Sequence, residues 1–76
     1  MRELVEFLVR ALVEDPDAVD VVEFDDDGEL VLEVTVADDD LGRVIGRGGR
    51  IANAIRTVAR AAGSRDDRRI VVDILD

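Results

Sequence analysis

Apolar positions along this chain change their period several times, and each change marks an element. Leu4, Phe7, Leu8, Ala11 and Leu12 recur at three- and four-residue spacing, which predicts an amphipathic helix over residues 2–14. Asp15-Pro16-Asp17 ends it, because the residue before a proline avoids helical φ/ψ. Val19 to Phe24 is dense in β-branched side chains and predicts a strand. Asp25-Asp26-Asp27-Gly28 then reads as a hairpin turn, since Asp-Gly tolerates the positive φ that tight hairpins require. Leu30, Leu32, Val34 and Val36 alternate with Val31, Glu33 and Thr35, so a second strand presents one face to the core.

The second half reads differently. Asp38, Asp39 and Asp40 are placed to cap and charge-complement a short helix carrying Leu41, Val44 and Ile45 on one side. A glycine-rich loop interrupts it. From Arg50, the spacing of Ile51, Ile55, Val58 and Ala62 marks the buried face of a further helix, with Asn53, Arg56, Thr57 and Arg60 on the other side and Gly63 as its C′ stop. Residues 64–68 form a polar connector in which Arg65, Arg68 and Arg69 are expected to pair with Asp66 and Asp67, and residues 69–75 a last β-branched strand. The order is α-β-β-α-α-β in one α+β domain over 1–76. A chain of 76 residues buries only about 60% of the surface its unfolded form exposes, so a single small core is expected.

Composition removes whole classes of chemistry. There is no His, Cys, Lys, Tyr, Trp or Gln, so the usual general base, the usual nucleophiles and the soft metal ligands are all missing. Only carboxylates and Ser64 remain for catalysis, and no enzyme is expected. Without cysteine the chain needs no oxidising compartment, and Arg2, Glu3, Glu6 and Arg10 break the apolar start, so cytoplasm is the expected location and no membrane association is expected. Placing Gly28 at the sixth position of an EF-hand loop puts Glu23, Asp25 and Asp27 at ligand positions but Val34 where a bidentate Glu belongs. No metal and no cofactor are therefore expected.

The net charge of −9 argues against a nucleic-acid partner until its distribution is considered. Residues 1–40 hold fifteen acids and two arginines, a balance of −13, whereas residues 41–76 hold eight arginines and four acids, a balance of +4. From Leu41 to Ala62 there are five arginines (Arg43, Arg47, Arg50, Arg56, Arg60) and no acid. Centred in that stretch is a Gly-x-x-Gly tetrapeptide, Gly46-Arg47-Gly48-Gly49. Glycines let a backbone approach a ligand closely, and a helix opening at Arg50 would add free amides and the positive end of its dipole. The loop lacks the Gly-Lys-Ser/Thr ending of a nucleotide-binding P-loop.

The stretch Leu41-Gly42-Arg43-Val44-Ile45-Gly46-Arg47-Gly48-Gly49-Arg50-Ile51, in an α-β-β-α-α-β chain, resembles the KH signature, whose GXXG loop clamps an RNA backbone. With the Asp15-Pro16-Asp17 turn, Ala54-Ile55-Arg56-Thr57-Val58 and the closing Val71-Val72-Asp73-Ile74, the whole chain is similar to the KhpA (YlqC) family of small bacterial KH proteins. That resemblance implies a type II KH domain, a three-stranded sheet with helices packed on one face. It implies single-stranded RNA held by Arg43, Val44, Ile45, Gly46, Arg47, Gly48, Gly49, Arg50 and Ile51, with the amides and guanidinium groups of 47–50 on the phosphates. Val44, Ile45, Ile51 and Ile55, with part of the 30–36 strand, would wall an aliphatic base groove. Aromatic stacking is not expected, because Phe7 and Phe24 occupy core-like positions.

The resemblance also implies an RNA chaperone or post-transcriptional regulator, a homodimer or a heteromer with a KhpB-like KH protein, and a part in cell shape or division. Family members usually carry Lys and Gln where this chain has Arg47 and Gly48, and lysine at Asn53. A second reading is a KH-fold protein-interaction module with weak RNA binding, in which the acidic half dominates.

Overall fold

The computed structural model describes residues 1–64 and 67–76. Its elements are α1 (Arg2–Arg10), β1 (Asp20–Asp26), β2 (Glu29–Thr35), α2 (Leu41–Ile45), α3 (Arg50–Gly63) and β3 (Ile70–Ile74), the predicted order. Single 3₁₀ turns at Pro16–Ala18, Asp38–Asp40 and Arg47–Gly49 join them. The sheet runs β1-β2-β3, with β1 and β2 antiparallel and β2 and β3 parallel. Asp26 pairs with Glu29, leaving a two-residue loop in which Asp27 (φ 53°) and Gly28 (φ 87°) both take positive φ, as the Asp-Gly signal requires. A parallel pair needs a crossover, and α2, the glycine loop and α3 supply it.

One face of the sheet carries the core. Val21, Leu32, Val34, Ile70 and Val72 meet Val5 and Val9 of α1, Val44 of α2, and Ile55 and Ala59 of α3. Each such side chain, fully buried, is worth roughly 1.5–3 kcal/mol for the larger aliphatics. The result is the expected α+β arrangement, with the helices on one face of a three-stranded mixed sheet.

Five expectations fail, each for a reason that the packing supplies. The first helix ends at Arg10, not residue 14, and the Leu12 amide turns back onto the Val9 carbonyl at 3.0 Å. Its deeply buried residues are Val5 and Val9, while Phe7 is 70% exposed. The charged side chains Arg2, Glu3, Glu6 and Arg10 keep to one side, but the apolar arc left to this segment is broad, and the core took Val5 and Val9 within it in place of the expected Leu4-Phe7-Leu8 stripe. Phe24 is also exposed, at 39%, because Val21 faces the core and strand alternation sends Val22 and Phe24 to the opposite side.

Gly63 does not stop α3 by a left-handed turn. It is the helix's last residue, the chain continues through Ser64 at φ −62°, and a Cβ on Gly63 would sit 2.5 Å from Ile70 Cγ1. Its role is close packing of α3 on β3. In the connector, Arg68 pairs with Asp25 and Arg69 with Glu29 at 3.1 Å, so both arginines reach the β1–β2 hairpin instead of the neighbouring Asp67. Arg65 and Asp66 lie outside the described residues.

Candidate nucleic-acid interface

Gly46, Gly48 and Gly49 all have positive φ (75°, 63° and 80°), but they are needed for different reasons. Gly46, at ψ 172°, lies in a region essentially closed to other residues, and a Cβ there would stand 2.6 Å from Ile51 Cγ1 and 2.9 Å from the Ile51 amide nitrogen. The loop is thus folded hard against the start of α3. Gly48 has nothing within 4 Å of a built Cβ, so only its φ favours glycine and the loop tip is open to solvent.

Backbone bonding decides which amides are available. The Gly46 amide donates to the Gly42 carbonyl at 2.9 Å and the Gly49 amide to the Gly46 carbonyl at 3.1 Å, while the Arg50 amide bonds the Arg47 carbonyl. Of the four amides expected to clamp phosphate, those of Gly49 and Arg50 are therefore already engaged. Among the described residues, the Arg47 and Gly48 amides have no backbone acceptor. They stand at the N-terminus of a 14-residue helix whose first turn holds no acid, where the dipole favours an anion.

The arginines divide sharply. Arg47 and Arg50 are exposed at the loop and form no ion pair among the described residues. Arg43 is occupied: its Nη2 lies 2.8 Å from Glu14 Oε1 and its Nη1 lies 3.2 Å from Asp40 Oδ1. Asp40 is only 2% exposed, and its two carboxylate oxygens accept the amides of Glu14 (3.0 Å) and Asp15 (3.1 Å). Chiefly the Glu14 amide, helped by Asp15 and Arg43 and opposed by burial, holds its carboxyl below the ordinary value of 3.8. The expected capping of α2 by an aspartate side chain is therefore replaced by a longer reach, and no side-chain cap bond forms at the N-terminus of α2. Asp40 ties the segment after α1 to the base of α2, with Arg43 as its counter-ion.

Arg56 also has a specific place that spacing did not predict. Its Nε donates to the Val72 carbonyl at 3.1 Å and its Nη1 to Asn53 Oδ1 at 3.1 Å. Because Leu30 bonds the Arg69 carbonyl and Leu75 bonds the Val34 carbonyl, alternation directs the Val72 carbonyl to the open edge of β3. Arg56 covers part of that edge.

The expected aliphatic wall separates into two layers. Val44 is fully buried and Ile55 is 4% exposed, both in the core, so they support the loop from beneath. Ile45 and Ile51 are half-buried and reach the surface. Between α1 and α3, directly behind the loop, lies an open apolar groove of about 350 Å³ that includes Leu8, Leu12, Arg50, Ile51 and Val58.

No described helix is long and apolar enough to cross a membrane, and among the described residues no cluster of three or more acids is placed to hold a metal. The model of the KhpA/KhpB KH domain matches residues 2–74. The chain belongs to that family. It is 47% identical over 76 residues to the RNA-binding protein KhpA of Halalkalibacterium halodurans, with both chains covered completely. It is 45% identical over 75 residues to the KhpA proteins of Caldanaerobacter subterraneus and Clostridium acetobutylicum, covering 99% of this chain and 100% of each relative. Among solved structures, a crystal structure of an Aquifex aeolicus Era variant bound to GDP and AlF4⁻ superposes with a TM-score of 0.66 at 21% identity, over 96% of this chain and 28% of Era. At that identity the likeness concerns the fold alone.

Proposed function

We propose that this KH domain binds single-stranded RNA by its sugar-phosphate backbone, without catalysis. One observation carries the reading: among the described residues the Arg47 and Gly48 amides have no backbone acceptor, and they stand at a helix N-terminus beside Arg47 and Arg50, which form no ion pair there. Arg47 presents a fork suited to bidentate phosphate contact, and Arg50 adds a second cation one residue past the loop. Ile45 and Ile51 supply the apolar surface next to it, so phosphates position the strand and bases make limited contacts. Arg43 and Val44, expected in the site, act by holding α2 in place.

A single loop of this kind grips a few nucleotides, so useful affinity requires a second grip. The α1–α3 groove, with Val58 43% exposed, is an apolar surface suited to pairing with a second copy or a KhpB-like KH protein. A chaperone or post-transcriptional role in the cytoplasm, connected to cell shape, completes the proposal by family likeness. Replacing Arg47 and Gly48 together by Asp tests it. Asp tolerates the φ of 63° at position 48, so the fold survives while binding to a single-stranded RNA oligomer is lost. Unchanged affinity in a salt titration of the folded variant overturns the reading.

A further inference from the structure

The sheet has a second face, and it is neither covered nor uniformly polar. Val31 is only 9% exposed yet stands outside the main core, because its register partners Phe24 and Val71 flank it on the side away from the helices. Val22, 47% exposed, extends this apolar row toward the start of β1. Leu30-Val31-Leu32 is thus a continuous apolar run, the pattern of a strand covered on both faces. Only one face of β2 has a helical layer.

The rim is acidic and poorly compensated. On the same face Glu33 stands opposite Asp73, and Asp26 opposite Glu29, with Asp20 further along β1. Like charges directly opposite one another on a sheet are destabilising. Among the described residues a single arginine answers them, Arg69 on Glu29 at 3.1 Å. The free protein therefore carries a repulsion that a cationic partner would relieve.

We infer that the open face of the sheet, with Val22, Phe24, Val31 and Val71 at its centre, docks a basic amphipathic helix of a partner protein. A helix is the element that covers a sheet face, its apolar stripe meeting the apolar row and its flanking Lys or Arg side chains meeting the carboxylates. A second copy of this chain would set one carboxylate rim against an identical one. RNA is repelled by the same rim. The surface is separate from the glycine loop, so this docking does not depend on RNA binding.

The test is titration of the ¹⁵N-labelled chain with a synthetic peptide carrying leucines at i, i+3, i+4 and i+7 and lysines elsewhere. Saturable amide shifts centred on residues 22, 24, 31 and 71 are expected, with at least about tenfold weaker binding after Val22→Thr with Phe24→Thr, in line with the apolar area removed. Glu33→Lys with Asp73→Lys leaves the apolar row intact and should weaken binding comparably, which covers the case in which the first variant does not fold. The folded Val22→Thr with Phe24→Thr variant, which changes no charge, should bind RNA as the parent does. Shifts centred on the α1–α3 groove or the loop, equal binding of a counterpart peptide with Glu in place of Lys, or a concentration-dependent dimer abolished by Phe24→Thr would each overturn the inference.

Discussion

The glycine loop and the outer face of the sheet are built on opposite plans. At the loop, backbone geometry is tightly held while charge is left free: Gly46 cannot carry a Cβ, and Arg47 and Arg50 have no acid partners among the described residues. On the outer face the backbone is regular sheet, but acids face acids around an exposed apolar row. Both regions forgo pairing that would stabilise the free molecule. Uncompensated charge of one sign, held on a rigid element, marks a surface prepared for a ligand of the other sign. The contrast between Arg43 and Arg47, four positions apart, makes the same point within the basic stretch: one neutralises a buried carboxylate and the other faces solvent.

The largest effect should follow from closing the loop's strained position. Gly46→Ala forces a Cβ against Ile51 at a φ/ψ that non-glycine residues avoid, and should cost about 3 kcal/mol in urea unfolding, with RNA binding lost as well. A variant of parental stability would show that the loop is not held as described.

Separating the two arginines comes next. Arg47→Gln should weaken RNA binding and reduce the log–log salt slope, about −2 for three phosphates, by roughly 0.7, the contribution of one single-strand phosphate. Arg43→Gln should leave that slope unchanged and lower stability by less than about 1 kcal/mol, as the guanidinium is half exposed and the buried Asp40 carboxylate keeps both of its backbone amides. An equal loss of slope in both variants would erase the distinction.

Acid titration examines the Asp40 tie itself. Because its folded carboxyl titrates below the ordinary value of 3.8, the stabilisation it gives is complete above that value and is lost as pH falls through the folded one. Asp40→Asn should therefore lower the urea midpoint by a constant amount from about pH 6 to 8, roughly two pH units or more above ordinary carboxylate titration. Below about pH 4 the parent loses the same contribution and the two curves converge. A gap that persists into strong acid would mean that the charge of Asp40 is irrelevant. The smallest effect belongs to the outer face, where Glu33→Gln should raise stability by about 0.5 kcal/mol by removing repulsion from Asp73.

Much of the architecture was legible in local chemistry. Asp27-Gly28 specified a hairpin because few residue pairs accept two positive φ values, and alternation through Leu32, Val34 and Val36 specified which side of β2 is buried. The acid-free run around Gly46–Gly49 marked the basic loop that we propose takes a phosphate, since charge distribution is a property of sequence wherever neighbours in the chain are neighbours in space.

Tertiary structure decided what depends on distant segments. The apolar arc of residues 2–14 is broader than the core needs, so only the sheet's arrival chose Val5 and Val9 and left Phe7 outside. Asp40 reaches amides 25 and 26 residues away, Arg56 a carbonyl 16 residues away, and no local spacing encodes either partner. The uncovered second face of the sheet emerged in the same way, from strand order and register that place Phe24, Val31 and Val71 side by side. Local sequence determined the elements and the basic loop, because φ/ψ preference and period act over a few residues. Which charges are free and which are consumed was decided by packing, because an ion pair or a buried hydrogen bond forms between whatever the fold brings together.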